Sequence, residues 1–143
     1  MTQPSPILAP AAVLVAWSLF MLLWMAATRI AAMPKAGVDL ASNVGGRGQD
    51  LESVLPPEVN WKSHNYTHLM EQPTIFYATV LILALAGAGD GTNATLAWAY
   101  TGLRIVHSIV QATWNRVAVR FLIFSAATAV LAVLAANALR ATL

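Results

Sequence analysis

The sequence predicts an all-α, polytopic membrane protein, a single bundle of four transmembrane helices. Three observations predict it. The chain is 58% hydrophobic and only 10% charged, with a mean hydropathy of +0.64; a soluble domain carries about a quarter charged residues. Four apolar runs each approach the roughly 20 residues that a span needs at 1.5 Å rise per residue. Short turns and one long polar loop separate them. A length of 143 residues fits one domain, 1–143.

The first run is Ile7 to Met33, closed by Pro34, with Arg29 in its last turn. Met1 to Pro6 carries no Lys or Arg, and the apolar run is longer than a signal-peptide core of roughly 7–15 residues, so the start reads as a retained membrane helix. A loop over 34–63 follows, rich in Gly, Pro and charge. Loops of that length are usually functional or poorly ordered. Gly45-Gly46-Arg47-Gly48 lacks the Lys-Ser/Thr of a phosphate-binding loop and reads as a bend. Ser53 to Glu58 is a candidate lid over a cleft. The second helix is expected at about Asn65 to Gly87, with Pro73 kinking it or marking its start. The third is Thr95 to Trp114 and the fourth Val119 to Leu139. The Ala- and Ser-rich fourth helix reads as a close-packing one.

Orientation follows the distribution of Lys and Arg. Arg29, Lys35, Arg47 and Lys62 cluster around the first loop, and Arg116 and Arg120 flank the third. Both loops are therefore expected in the cytoplasm and both termini outside, with Arg140 dissenting. Trp61 and Trp114 then sit at the cytoplasmic interface and Trp98 near the outer one, while Trp17 and Trp24 read as bulk. The net charge of +2 is small and scattered, and no nucleic-acid partner is expected. Cysteine is absent, which removes disulfides, thiolate nucleophiles and zinc–cysteine sites.

The chemistry lies in the third run. Arg104, His107 and Gln111 fall at i, i+3 and i+7, one helical face. An arginine at a bilayer centre costs about 2.5–3.5 kcal/mol on insertion scales, so such a residue faces a partner, a cavity or a ligand. Glu71 on the second helix is expected about 9 Å deep, His107 about 10 Å and Arg104 about 15 Å. Antiparallel neighbours would bring Glu71 within reach of both. With Arg29, Arg116 and Arg120 toward the same side, the cleft holds more arginines than carboxylates. Arginine suits an anionic ligand, because its fork binds carboxylates bidentately and stays charged. A buried Glu71–Arg104 pair that only fixes helix register is the plainer reading. His64, His68 and Glu71 share a face, with His107 a conceivable fourth metal ligand; the preferred reading is of polar residues at the helix start, with no metal. The triplets at Asn65 and Asn93 match glycosylation sequons, which arise often by chance.

Asn65-Tyr-Thr-His-Leu-Met-Glu71-Gln-Pro73-Thr-Ile-Phe-Tyr77 resembles the second-helix signature of the MAPEG family, the membrane-associated proteins in eicosanoid and glutathione metabolism. Ala99 through Arg104, His107 and Asn115-Arg116 to Arg120-Phe121 resembles its third-helix signature, closest to the bacterial members. The resemblance implies a homotrimer in membrane lipids, in a bacterial inner membrane. It implies glutathione as co-substrate, bound between subunits near the cytoplasmic face, and a transferase or peroxidase acting on a lipophilic small molecule. Carried over by position, Arg29, His68, Glu71, Arg104, His107, Gln111 and Arg116 fall at binding positions, and Arg120 is the residue suited to stabilise the thiolate. The chain departs from the family at Thr67-His68, where many members carry Arg-Asn. It departs again at Gln111, which replaces a tyrosine, and at Phe121, which replaces a hydroxyl residue. Those departures make a non-catalytic member that binds lipid or another anion the alternative.

Overall fold

The computed structural model describes residues 3–143, which form five α-helices and two short 3-10 turns, with no strand among them. Helix α1 is Leu8–Ala32, α2 Pro57–Leu69, α3 Gln72–Leu85, α4 Gly91–Thr113 and α5 Val117–Thr142. The helix expected at 65–87 is thus two helices, α2 and α3, that follow one another as a broken rod. It begins at Pro57, eight residues before the expected start at Asn65. Pro57 occupies the first turn and Glu58 lies beside it, so φ is preset and a negative charge faces the helix N-terminus. The polar stretch Pro57–Ser63 carries no apolar periodicity, which hid this start.

Pro73 explains the break. It lies in the first turn of α3, where its missing N–H costs nothing, but its ring clashes with the carbonyl four residues back, that of Leu69. The chain turns at Glu71, with φ −89° and ψ −96°. The Thr74 hydroxyl donates to the Glu71 carbonyl at 2.6 Å and steadies the restart.

The 34–63 loop is correspondingly shorter and partly ordered. Pro34–Ala36 forms a 3-10 turn closed by Gly37 at φ +72°, a left-handed conformation that glycine adopts without strain. Gly48–Ser53 forms the second 3-10 turn, started by Asp50 Oδ2 accepting from the Arg47 backbone N–H at 2.7 Å. Leu55 is buried, and Asn60 Nδ2 donates to the carbonyls of Glu52 and Leu55, both at 3.1 Å. Leu55 alone anchors Ser53 to Glu58, whose other residues are exposed, and the segment runs into the start of α2.

α4 is the centre of the bundle: α1, α2 and α5 all pack on it, and α3 packs between α5 and α1. Its buried face reads Ala97, Tyr100, Thr101, Arg104, His107, Ser108, Gln111, Ala112. The polar stripe points inward, and apolar side chains of α1 and α5, such as Leu19, Leu23, Phe121 and Leu122, point outward. That pattern suits a bilayer, in which polar groups must find partners inside the protein. Three rods are long and apolar enough to cross a membrane: α1, the α2–α3 rod and α5. α4 has 23 residues but is not among them, because its polar stripe lowers its hydropathy. The protein is an integral membrane protein.

Two buried polar groups bind the helices together. Ser108 Oγ on α4 accepts from Trp17 Nε1 on α1 at 2.9 Å and from Asn65 Nδ2 on α2 at 2.7 Å. Trp17, read from sequence as bulk, is therefore a polar partner as well. Trp24, read the same way, carries the Lys62 ammonium over its ring at 5.6 Å, within cation–π range. Both sequon asparagines are occupied within the fold: Asn65 is buried, and Asn93 donates to the Ala88 carbonyl at 2.8 Å and accepts from Asn137 at 2.7 Å.

Candidate functional site

The break between α2 and α3 builds the site. A helix end leaves its last carbonyls without intrahelical donors. The carbonyl of His68 is one of these, and Arg104 Nη2 on α4 donates to it at 3.0 Å. A buried cation therefore caps α2, favourable against the negative end of the helix dipole. Arg104 Nη1 approaches Nε2 of the same His68 at 3.4 Å. On the other side of the ring, Nδ1 of His68 lies 2.7 Å from Glu71 Oε2.

This geometry fixes the tautomer. A guanidinium only donates, so Nε2 of His68 accepts and Nδ1 carries the proton given to Glu71. The expected direct Glu71–Arg104 pair does not form. The carboxylate and the guanidinium are instead linked in series through the His68 imidazole, because the turn at Glu71 aims its side chain back along α2 at His68. The ring is clamped by His107 at 5.1 Å and Phe124 at 5.2 Å between centroids.

His68, His107, Val117, Arg120, Phe121 and Phe124 line a cleft of about 200 Å³ between α2, α4 and α5. Phe121 and Val117 are exposed at its mouth, so it opens on the outer face of the bundle. Arg120 is steered by Asn115, whose Oδ1 accepts from Arg120 Nη1. Asn115 follows α4 at φ +53°, a left-handed position that asparagine tolerates better than most residues. Its place just past a helix end is the signal in the sequence that marks it; Phe124, one apolar residue in an apolar helix, carries none. Of the cleft-lining residues, His107 Nδ1 and Arg120 Nε are buried without a partner among the described residues, and so are Arg104 Nε and Gln111 Oε1 on the same buried face of α4 as His107.

The remaining expected residues do not join this cleft. Arg29 is buried at the end of α1, with Nε and Nη2 unpartnered. It lines a different cavity, of about 390 Å³, with Met25, Arg47, Gly48, Ser63, Tyr66 and Thr67. Arg47, from the loop after α1, thus supplies a second guanidinium there. Arg116 is exposed and stacks over Trp114 at 5.5 Å, as an interface anchor would. Gln111 is buried one turn below His107. His64 pairs with Glu52 at 3.0 Å and does not converge with His68 and His107.

The chain therefore presents two separate basic surfaces, the His68–Arg120 cleft and the Arg29–Arg47 cavity, with α2 lining both. No curated protein and no solved structure matches the chain. The model of the MAPEG family matches residues 7–140, a span that holds the α2–α3 break, the linked Glu71, His68 and Arg104, and all but the last residues of α5; the chain belongs to the MAPEG family.

Proposed function

We propose that the protein is a glutathione-dependent transferase or peroxidase acting on lipophilic electrophiles, working as a homotrimer of four-span protomers with its basic sites toward the cytoplasm of a bacterial cell. One observation carries the reading. Arg29, Arg104 and Arg120 keep buried N–H groups without acceptors, and Glu71 is already committed to His68. Buried donors left unsatisfied cost about 1–3 kcal/mol each, more when charged, and an anionic ligand would satisfy them. Glutathione carries two carboxylates suited to Arg29 and Arg47, and a thiol suited to the Arg120 cleft. Arg120 would hold the thiolate, since adjacent positive charge favours it. The mouth at Phe121 and Val117, on the outer face of the bundle, would admit an electrophile at the edge of the subunit boundary. The two half-sites would meet across a subunit boundary.

The test is thermal unfolding of the detergent-solubilised protein. Glutathione at about a hundred times its dissociation constant should stabilise it by about 2.7 kcal/mol, and Arg29→Gln or Arg120→Gln should abolish most of that gain. A flat response in the unmodified protein at millimolar glutathione rejects the reading. Phe121, which places an apolar ring where a hydroxyl donor would help a thiolate, favours a second reading as a non-catalytic binder of an anionic lipid. Co-purifying phospholipid, with no thiol transfer to a chlorodinitrobenzene-type substrate, is its signature.

A further inference from the structure

We propose that His68, oriented by Glu71, is a catalytic residue: the proton acceptor for the thiol bound in the cleft. This rests on the glutathione reading above and goes beyond it, since that reading asks only for arginines around the sulfur.

Three features of the geometry carry it. The 2.7 Å contact from Nδ1 to Glu71 fixes the ring orientation and puts the imidazole's lone pair on Nε2. Among the described residues Nε2 has one polar partner, Arg104 Nη1 at 3.4 Å, a long contact that a stronger donor would displace while Arg104 keeps its 3.0 Å bond to the His68 carbonyl. His68 also lines the same cleft as Arg120, so a sulfur held by Arg120 lies beside the His68 ring. A base hydrogen-bonded on its far side to a carboxylate that steadies the protonated ring is the general arrangement of nucleophile activation.

The step balances within the site. The S–H bond breaks, its proton goes to Nε2 of His68, and the electron pair stays on sulfur as the thiolate. Nδ1 keeps its proton and Glu71 stays ionised, so the new imidazolium faces one carboxylate and the new thiolate faces Arg120. The charged or titratable groups around the ring are Glu71 at the start of α3, Arg104 and His107 on α4, and Arg120 on α5. Arg104 and Arg120 oppose the imidazolium and favour the thiolate. Glu71 offsets that opposition, as a positioning residue.

The experiment follows the ultraviolet thiolate absorbance of bound glutathione against pH, alongside the pH profile of turnover, in the unmodified trimer, His68→Asn and Glu71→Gln. S-methylglutathione, which has no thiol proton, reports binding separately. His68→Asn should lower turnover at neutral pH about a hundredfold and raise the thiolate titration by about one pH unit. Glu71→Gln, a change at an exposed carboxylate that leaves the imidazole packed, should shift the titration the same way. Both variants should still bind S-methylglutathione measurably, and its dissociation constant in each is followed separately from the titration. Should His68→Asn fail to fold, Glu71→Gln alone decides. An unchanged titration in Glu71→Gln with S-methylglutathione still bound overturns the role of His68 and leaves the glutathione reading standing. Failure of the unmodified protein to bind either compound removes both.

Discussion

Arg104 has no exposed surface, yet its guanidinium reaches a backbone carbonyl that the helix break has set free. Its structural role and its chemical role are therefore joined. Arg104→Met keeps an unbranched apolar stem and removes every donor. It leaves the His68 carbonyl buried and unpaired, which should destabilise the protein by about 1–3 kcal/mol. Arg104→Lys should recover part of this, because an ammonium can reach one acceptor but cannot span the carbonyl and Nε2 together. Equal melting temperatures for all three proteins in detergent would contradict the capping role. Gly48 makes the opposite case. A Cβ there would lie 2.8 Å from Arg29 Nη1, the movable end of a long side chain. Gly48→Ala should therefore change stability by no more than about 0.5 kcal/mol while displacing the guanidinium. Isothermal titration should find glutathione binding weakened about fivefold, equivalent to about 1 kcal/mol.

At the scale of elements, Pro73 matters most, because it forces the carboxylate of Glu71 out of a continuous helix and toward His68. Pro73→Ala restores the N–H and relieves the clash with the Leu69 carbonyl, so α2 and α3 can run on as one helix. In a regular helix His68 and Glu71 would still be neighbours at i and i+3, but the His68 carbonyl would bond to Gln72 and Arg104 would lose its acceptor. The expected outcome is a protein that melts within about 1 kcal/mol of the original and binds glutathione more weakly. Unchanged affinity would mean that the break does not organise the cleft. The sequence exposed this device only in part. Pro73 announced a kink, and the i, i+3, i+7 stripe of Arg104, His107 and Gln111 announced a buried polar face, which α4 indeed has. The series link through His68 was not legible, because it depends on the backbone angle at Glu71 and not on spacing. The early start of α2 was hidden for a different reason: Pro57 to Ser63 packs through polar groups such as Asn60, and hydrophobic periodicity is blind to those.

For the whole molecule, the two basic surfaces pose a geometric question. Residue order along the chain put Arg29 and Arg120 on the same side of the membrane, which depth alone can do. It could not tell that they line separate sites, with α2 lining both, because lateral placement around a bundle is set by packing. α1 packs on α2, α4 and α3, and α5 packs on α4 and α3, so Met25 on α1 and Phe121 on α5 belong to different faces of one protomer. Each lines one of the two sites. In a closed cyclic trimer a face of one copy meets a different face of the next, which would join cavity to cleft three times over. The chain has no cysteine, so Met25→Cys with Phe121→Cys introduces the only thiols. A short bismaleimide reagent added to that variant in native membranes should give covalent dimers and trimers on a denaturing gel. Met25→Cys or Phe121→Cys alone should give few, since like faces do not meet. Glutathione added first should slow the reaction by filling the joined site. Monomers alone from the double variant, beside a trimer in the native mass spectrum, would show that the copies assemble through other faces and that each basic surface must be explained within one protomer.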